Sequence, residues 1–533
     1  YYSLLTGTNP YDHAGSVVQV MFAHCNGEML DPRQLDATIP PACSQVIRRA
    51  MAKRPEERYQ QAAEMLSDLE AILTATSGGV PMNRLVLSHR RAGRSRYLLT
   101  AMAAVIVGLL AAAGWHLSQE AISTTDTRTT AAAALPTPAV PTGRPIRVGI
   151  LHSLSGTMAE SESVVVEATL LAIDELNRAG GLLGGRPIEP IVRDGCSEDA
   201  VFAREAKKLL NDEQVCTVFG CWTSSSRKTV VPIFERNNHL LVYPVQYEGL
   251  EESPNVIYLG ATPNQQIVPA IQWAFAFGGK RKFFLVGSDY IFPRAAGAII
   301  HDVLDNLGGR IVGEEYLPLG SYDTKALVAK IVAAAPDVIL NTINGDSNVA
   351  FFKELRSAGV TPERMTTISF SIGEEELRHL NVSHMVGDYA VWSYFQSIDS
   401  RENRDFVARF QAKYGPQRVV TDPMEAAYSG VKLWAKAVAQ AGSDEVSKIR
   451  RAMLYQHIDS PEGPLSIEPS THHVLQTPRI GQVTAAGQFD IVWKSVKPVA
   501  PLPFPPPRTP AQWKDFLAEW FVRWGNRWSG PTD

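Results

Sequence analysis

The chain has 533 residues, with 45% hydrophobic and 20% charged residues and a formal net charge of −4. That length allows two or three domains, the composition is that of folded globular material, and the near-neutral charge without a basic stripe argues against nucleic acid as a partner. Five cysteines fit no metal-ligand spacing, so burial is their default role, with one disulfide among Cys196, Cys216 and Cys221 left open.

Residues 1–76 read as a small helical unit. Tyr2–Thr6 is a helix end stopped at Gly7, and Ile39-Pro40-Pro41 opens a helix carrying Val46, Ile47, Ala50 and Met51. Lys53–Tyr59 breaks it, and a second helix sets Ala62, Met65, Leu66, Leu69, Ile72 and Leu73 on one face. The wording "YSLLTG…NPYD" followed by "IPP…KRPEERYQ" resembles the end of the C-lobe of bacterial Ser/Thr protein kinases. The resemblance implies that Arg58 matches the late arginine that pairs with the glutamate of an Ala-Pro-Glu motif, which this chain lacks, leaving Arg58 without that buried partner. The glycine-rich loop, strand lysine, His-Arg-Asp and Asp-Phe-Gly motifs are also missing, so no catalysis is expected from this sequence. ATP and magnesium are expected only for a complete kinase domain in a longer parent protein.

A basic segment, 77–96, leads into Tyr97–Leu117, which holds no Asp, Glu, Lys or Arg. As a helix it is about 31 Å long at about 1.5 Å per residue, enough to span a bilayer. Arg84, Arg90, Arg91, Arg94 and Arg96 precede it, whereas Gln119, Glu120 and Asp126 follow, which predicts a cytoplasmic N-terminus and an extracytoplasmic C-terminal part. No cleaved signal peptide is expected. Residues 118–143, rich in Ala, Thr and Pro, read as a semi-extended tether.

From 144 to about 498 short apolar strands alternate with helices. Ile146–Leu151, Val215–Phe219, Leu240–Tyr243, Phe283–Gly287 and Val338–Asn341 are strands, and Ser163–Ala179 is a helix stopped by Gly180-Gly181. The alternation predicts α/β structure with two doubly wound parallel sheets, one per lobe. Five loops follow those strands: Leu151–Gly156, Gly220–Lys228, Tyr243–Gly249, Gly287–Arg294 and Thr342–Asn348. Loops at the carboxyl ends of strands in such sheets form ligand clefts, so these point to one small-molecule site.

"GILHSLSGTMA", "VFGCWTSSSRK", "YPVQYEG", "PNQQ", "TINGDSNV", "GEEELR" and "DPMEA" resemble the urea receptors of ABC importers and the amide-sensing regulators of amidase operons, both type I periplasmic binding proteins. The resemblance covers residues 144–498 and implies two lobes, joined by three crossovers, that close on a ligand. It implies aromatic walls from Trp222 and Tyr243, a hydroxyl from Ser224, flanking contacts from Thr223 and Gln246, and Tyr290 from the second lobe. Asp346 stands where urea receptors carry an acidic residue, and a buried carboxylate deprived of one donor carries a penalty of about 1–3 kcal/mol, which favours urea over acetamide. Phe292 departs from the tyrosine common in both groups.

Plainer roles compete. As the lesser alternatives, Trp222 reads as core, Tyr243 before Pro244 as a turn setter and Asp346 after Asn344-Gly345 as a turn residue. Arg227 and Lys228 read as a solvated helix face, and His472-His473 as structural. Ser225 and Lys228 satisfy a Ser-x-x-Lys spacing, but no nucleophile elbow accompanies them and hydrolysis is not expected. Residues 499–533 form a Pro-rich and Trp-rich tail. There Trp513, Phe516, Leu517, Trp520, Phe521, Trp524 and Trp528 make an aromatic stripe suited to packing on its own domain or lying on a membrane surface.

The sequence therefore predicts a single-pass membrane receptor for urea or a short-chain amide that signals through a kinase, with homodimerisation left open. The alternative is a membrane-tethered solute-binding protein of an importer for urea or short-chain amides.

Overall fold

The computed structural model describes residues 2–6, 30–52, 57–77, 143–276 and 278–531. The predicted membrane helix 97–117, with the basic segment before it and the tether after it, lies outside the described residues. Among the described residues no helix is long and apolar enough to cross a membrane. The chain divides into two compact units, Tyr1–Leu135 and Pro136–Asp533.

In the first unit the predicted helices form as Pro41–Ala50 and Ala62–Ser77. Pro41 occupies the first turn, where its missing N–H costs nothing. Ile39, Ala42, Cys43, Val46, Ile47 and Ile72 make a small core, with Leu5, Tyr59, Met65 and Leu69 against it. Arg49 ties the two helices through Glu64 at 3.0 Å and Asp68 at 3.5 Å. Arg58 is not left without a partner: its Nε donates to the Ala52 carbonyl at 2.8 Å.

The second unit has two lobes, each built on one sheet. The first sheet runs β11-β12-β13-β5-β4-β3-β1-β2, from strands β1 (Ile146–His152), β2 (Ile188–Asp194), β3 (Val218–Gly220), β4 (Leu241–Tyr243), β5 (Val256–Tyr258), β11 (His457–Ser460), β12 (Gly463–Glu468) and β13 (His473–Leu475). The second runs β15-β14-β10-β9-β8-β6-β7, from β6 (Lys282–Ser288), β7 (Arg310–Leu317), β8 (Val338–Thr342), β9 (Thr366–Ser369), β10 (Tyr389–Trp392), β14 (Arg479–Val483) and β15 (Phe489–Lys494). The five predicted strands form with ends shifted by up to three residues, and all are central, buried on both faces. The expectation of purely parallel sheets is corrected. Each sheet is mixed, because β11–β12, β12–β13 and β14–β15 are successive antiparallel pairs at the sheet edges. Hairpins need only short connections, whereas parallel partners need a crossover element.

The chain passes between the lobes three times, after β5, after β10 and after β13. These crossings are bonded to one another. Gln476 Nε2 donates to the Leu259 carbonyl, Ser393 Oγ donates to Gln476 Oε1 at 3.1 Å, and Arg479 donates to the Ser393 carbonyl. Gln266, from the Pro263–Gln266 motif, donates to the Phe370 and Val391 carbonyls at 3.1 and 2.7 Å. Burial, with the Glu376 and Asp422 carboxylates nearby, pushes the Glu374 carboxyl up to about 8 beside the second crossing, although it accepts from the Gln396 N–H. Burial raises Asp422 to about 6, although it accepts the N–H groups of Ser393 and Tyr394.

Candidate functional site

Between the lobes the strand-end loops face each other. Gly220 ends β3, and Cys221 follows with a φ of 69°, a left-handed conformation costly for a residue with a Cβ. Its N–H is held by the Leu151 carbonyl at 2.9 Å, so the turn is over-determined and delivers Trp222 into the cleft. Trp222 Nε1 then donates to Asn344 Oδ1 of the second lobe at 3.4 Å. Gln246 reaches across in the same way, Nε2 donating to the Phe370 carbonyl at 2.9 Å. Ser161 Oγ donates to Glu376 Oε1 of the second lobe at 2.8 Å. At Gly345, with φ 64°, a Cβ would lie 2.7 Å from the Thr157 carbonyl oxygen of the first lobe, so glycine permits this approach. The lobes are closed.

Thr223 caps the helix Ser224–Arg236, its Oγ1 accepting from the Ser226 N–H at 3.1 Å. Ser224 turns inward and donates to Glu248, and Arg227 Nη1 donates to Ser224 Oγ at 3.0 Å. The reading of Arg227 and Lys228 as a solvated face is overturned. Arg227 and Glu248 side chains are both 0% exposed and pair at 2.9 Å, while Lys228 pairs with Glu251 at 3.0 Å. Two cations and two carboxylates thus neutralise one another in the interior, the condition under which buried charge is tolerated. Burial favours the neutral acid, yet the Arg227 and Lys228 charges hold the Glu251 carboxyl down at about 2.

Tyr243 is fully buried and spends its hydroxyl on the Trp222 carbonyl at 2.6 Å, with the Arg227 guanidinium 4.8 Å from its ring centroid. It therefore braces the Trp222 turn. Tyr290 is also buried, near Tyr243, Glu248 and Arg227, and burial drives its hydroxyl pKa far up. Phe292 packs beside it, ring centroids 6.3 Å apart. The structure thus brings together Trp222, Thr223, Ser224, Tyr243, Gln246 and Tyr290. Asp346 stands apart, half-buried at the rim beside Tyr322, in a groove it shares with Glu160, Glu375 and His379.

Several buried polar atoms have no protein partner: Gln246 Oε1, Ser371 Oγ next to the carbonyl that Gln246 grips, and His152 Nε2 at the end of β1. A cavity of about 270 Å³ is lined by Ser153, Glu162, Asp199, Thr223 and Ser225 of the first lobe and by Arg527 of the tail, and Glu162 links it to His152 through a 3.0 Å contact with Nδ1. Burial raises the Asp199 carboxyl despite a hydrogen bond from Ser225 and the Arg527 charge. Asn344 lies in the predicted cleft loop Thr342–Asn348, whereas Phe370, Asp199 and Arg527 join the site only through tertiary contact.

His473 is structural, as expected. It stacks on Tyr258 with centroids 4.2 Å apart and bonds the Tyr247 hydroxyl. Cys43, Cys196, Cys216 and Cys221 are free thiols. Among the described residues no cluster of His, Cys, Asp or Glu is arranged to hold a metal ion.

Two mixed α/β lobes, three mutually bonded crossings and a polar cleft between opposed strand ends define a closing solute-binding domain. A sequence profile described as the periplasmic binding protein domain matches residues 146–510, and the chain belongs to that family. It is 25% identical over 359 residues to Leu/Ile/Val-binding protein homolog 6 of Brucella melitensis, covering 64% of this chain and 88% of that one. A 120-residue stretch is 38% identical to a limonene hydroxylase of Geobacillus stearothermophilus, and the chain spans only 22% of that protein's length. Among solved structures, an ABC-transporter solute-binding protein of R. palustris bound to 4-hydroxybenzoate superposes with a TM-score of 0.62 at 24% identity, over 67% of this chain and 98% of that one. A leucine-binding protein of Thermotoga maritima gives a TM-score of 0.58 at 17% identity, over 66% and 98%. At these identities the superpositions establish the fold.

Proposed function

We propose that the second unit binds urea or a short-chain amide and serves as the solute-binding component of an ABC-type importer, tethered to the membrane through residues 97–117. The family membership supports the importer role better than a signalling role. Gln246 carries the ligand assignment. Its amide nitrogen is committed across the cleft, which leaves Oε1 as a buried acceptor in need of an N–H donor. Urea and primary amides bring N–H groups without charge. A benzoate brings none. An amino acid brings a carboxylate as well, and Arg227 and Lys228 of the same lobe are already neutralised by Glu248 and Glu251.

Calorimetric titration of the 533-residue chain with urea, acetamide, leucine and 4-hydroxybenzoate tests this reading. Heat with urea or acetamide and none with the other two supports it. Binding of leucine or 4-hydroxybenzoate, with neither urea nor acetamide bound, overturns it.

The receptor reading has one feature in its favour, the kinase-like wording of residues 1–76. In that reading closure of the lobes biases a kinase in a longer, dimeric parent protein. Phosphoryl transfer by that parent, assayed with and without urea, decides it: unchanged activity removes the reading.

A further inference from the structure

The tail beyond residue 510 lies outside the span of the family match, yet it is built into the cleft. Its helix, Pro510–Arg523, opens with a reciprocal cap between Thr509 and Gln512. Trp513 is buried and donates from Nε1 to the Pro505 carbonyl at 2.9 Å, and Arg294 stacks on Trp520 at 4.6 Å. The helix is thus packed on the second lobe. Gly525 and Asn526, with φ of 66° and 62°, then turn the chain back towards the ligand cleft. There the Ile291 N–H donates to the Trp528 carbonyl at 3.0 Å, Ser529 bridges Tyr290, and the Gly530 N–H donates to the Asp289 carbonyl at 2.8 Å. A Cβ at Gly530 would lie 2.6 Å from Asp289 Oδ2, so this seat admits only glycine without displacement.

These bonds are all to backbone of the second lobe, on the loop that carries Tyr290. Trp528 packs on the second-lobe core and on Phe521, ring centroids 4.6 Å apart, and its ring also meets the first lobe. Lys228 of the first lobe lies 5.3 Å from the Trp528 ring, and Arg527, Ser529 and Gly530 line the 270 Å³ cavity opposite Asp199, Thr223 and Ser225. Asp199 is half-buried, accepts a hydrogen bond from Ser225 and lines the same cavity as Arg527.

We infer that Arg527–Gly530 is a wall of the solute site, pinned to the second lobe and meeting the first only on closure, with Arg527 as the positioning residue that opposes Asp199. The inference rests on the proposed reading of the cleft as the solute site. It assigns to the tail a role in retaining ligand: when the lobes part, this wall leaves with the second lobe and the cavity opens along one side.

The test uses the full chain with Arg527→Ala, Arg527→Lys and, on the outward face of the tail helix, Lys514→Ala as control. Urea dissociation and hydrogen exchange are both measured, the latter without ligand. Arg527→Ala is expected to speed urea release at least fivefold and to raise exchange at residues 197–202 and 222–228, with an unchanged melting temperature. Arg527→Lys restores most of both effects, and Lys514→Ala leaves both alone. Exchange that rises in Arg527→Ala while urea fails to bind keeps the wall and removes the ligand. Urea binding with release and exchange unchanged in Arg527→Ala, or a loss confined to melting temperature, overturns the inference.

Discussion

Trp222 and Asn344 meet across the cleft, the indole Nε1 3.4 Å from the amide oxygen, and this contact belongs to the closed arrangement of the lobes. Trp222→Phe keeps most of the aromatic wall and removes the donor. A hydrogen bond of this length sits at the weak end of a range of about 0.5–1.5 kcal/mol, so urea affinity is expected to fall by about threefold. Calorimetry checks it. An unchanged affinity means that closure does not draw on this bond.

Gln246 is the more sensitive position. Gln246→Met is close in volume but loses both the cross-cleft donor and the unpartnered acceptor. A loss of at least tenfold in urea affinity is expected, consistent with about 1–3 kcal/mol for polar groups of the ligand left unpaired. Retention of wild-type affinity places the ligand elsewhere in the cleft.

The rim position of Asp346 sets it apart from the wall residues. Asp346→Ala is expected to change urea affinity by less than about threefold, since a half-buried carboxylate retains water as a partner. A loss of tenfold or more, greater for urea than for acetamide, would instead support the direct ligand contact that the sequence resemblance implies.

Arg227 holds the interior charge network. Arg227→Met leaves Glu248 without its closest cation, and a cost of about 3–5 kcal/mol in stability is expected. The double variant Arg227→Met with Glu248→Gln should recover part of it. Thermal melts compare the two, and a single variant as stable as wild type contradicts the network's role.

His473 and Glu251 each cost the second unit stability in acid, against Glu374 and Asp422, whose raised carboxyls favour the folded state as pH falls. Burial lowers His473 to about 3, so the folded state keeps it neutral while the unfolded chain takes a proton near 6.5. Its contribution is present above about pH 6.5 and is lost as pH falls towards 3. Glu251, held at about 2, contributes above its unfolded value near 4.5 and is lost as pH falls from there to 2. Melting temperatures between pH 7 and 3 measure both. His473→Phe, which keeps an aromatic ring against Tyr258, should flatten the fall between pH 6.5 and 5.

The central strands were legible in the sequence because their signal is local. Phe283–Gly287 and Val338–Asn341 are apolar runs of a length that a buried parallel strand requires, and their polar loops mark the cleft end of each sheet. The motif resemblance also brought Trp222, Tyr243, Gln246 and Tyr290 to one place. Arg227 was misread for the opposite reason. A charged residue in a helix looks solvated unless its partners are known, and Glu248 and Glu251 lie more than twenty residues away in sequence. The antiparallel edges, the rim position of Asp346 and the return of Arg527–Gly530 to the cleft are likewise matters of how distant segments meet. Sequence alone determined the central elements, the two-lobed α/β class and which strand-end loops line the cleft, since periodicity and strand-end chemistry reside in consecutive residues. Tertiary structure decided which charges are buried, which polar atoms lack partners and which segment closes the site, since each depends on what lies across the cleft.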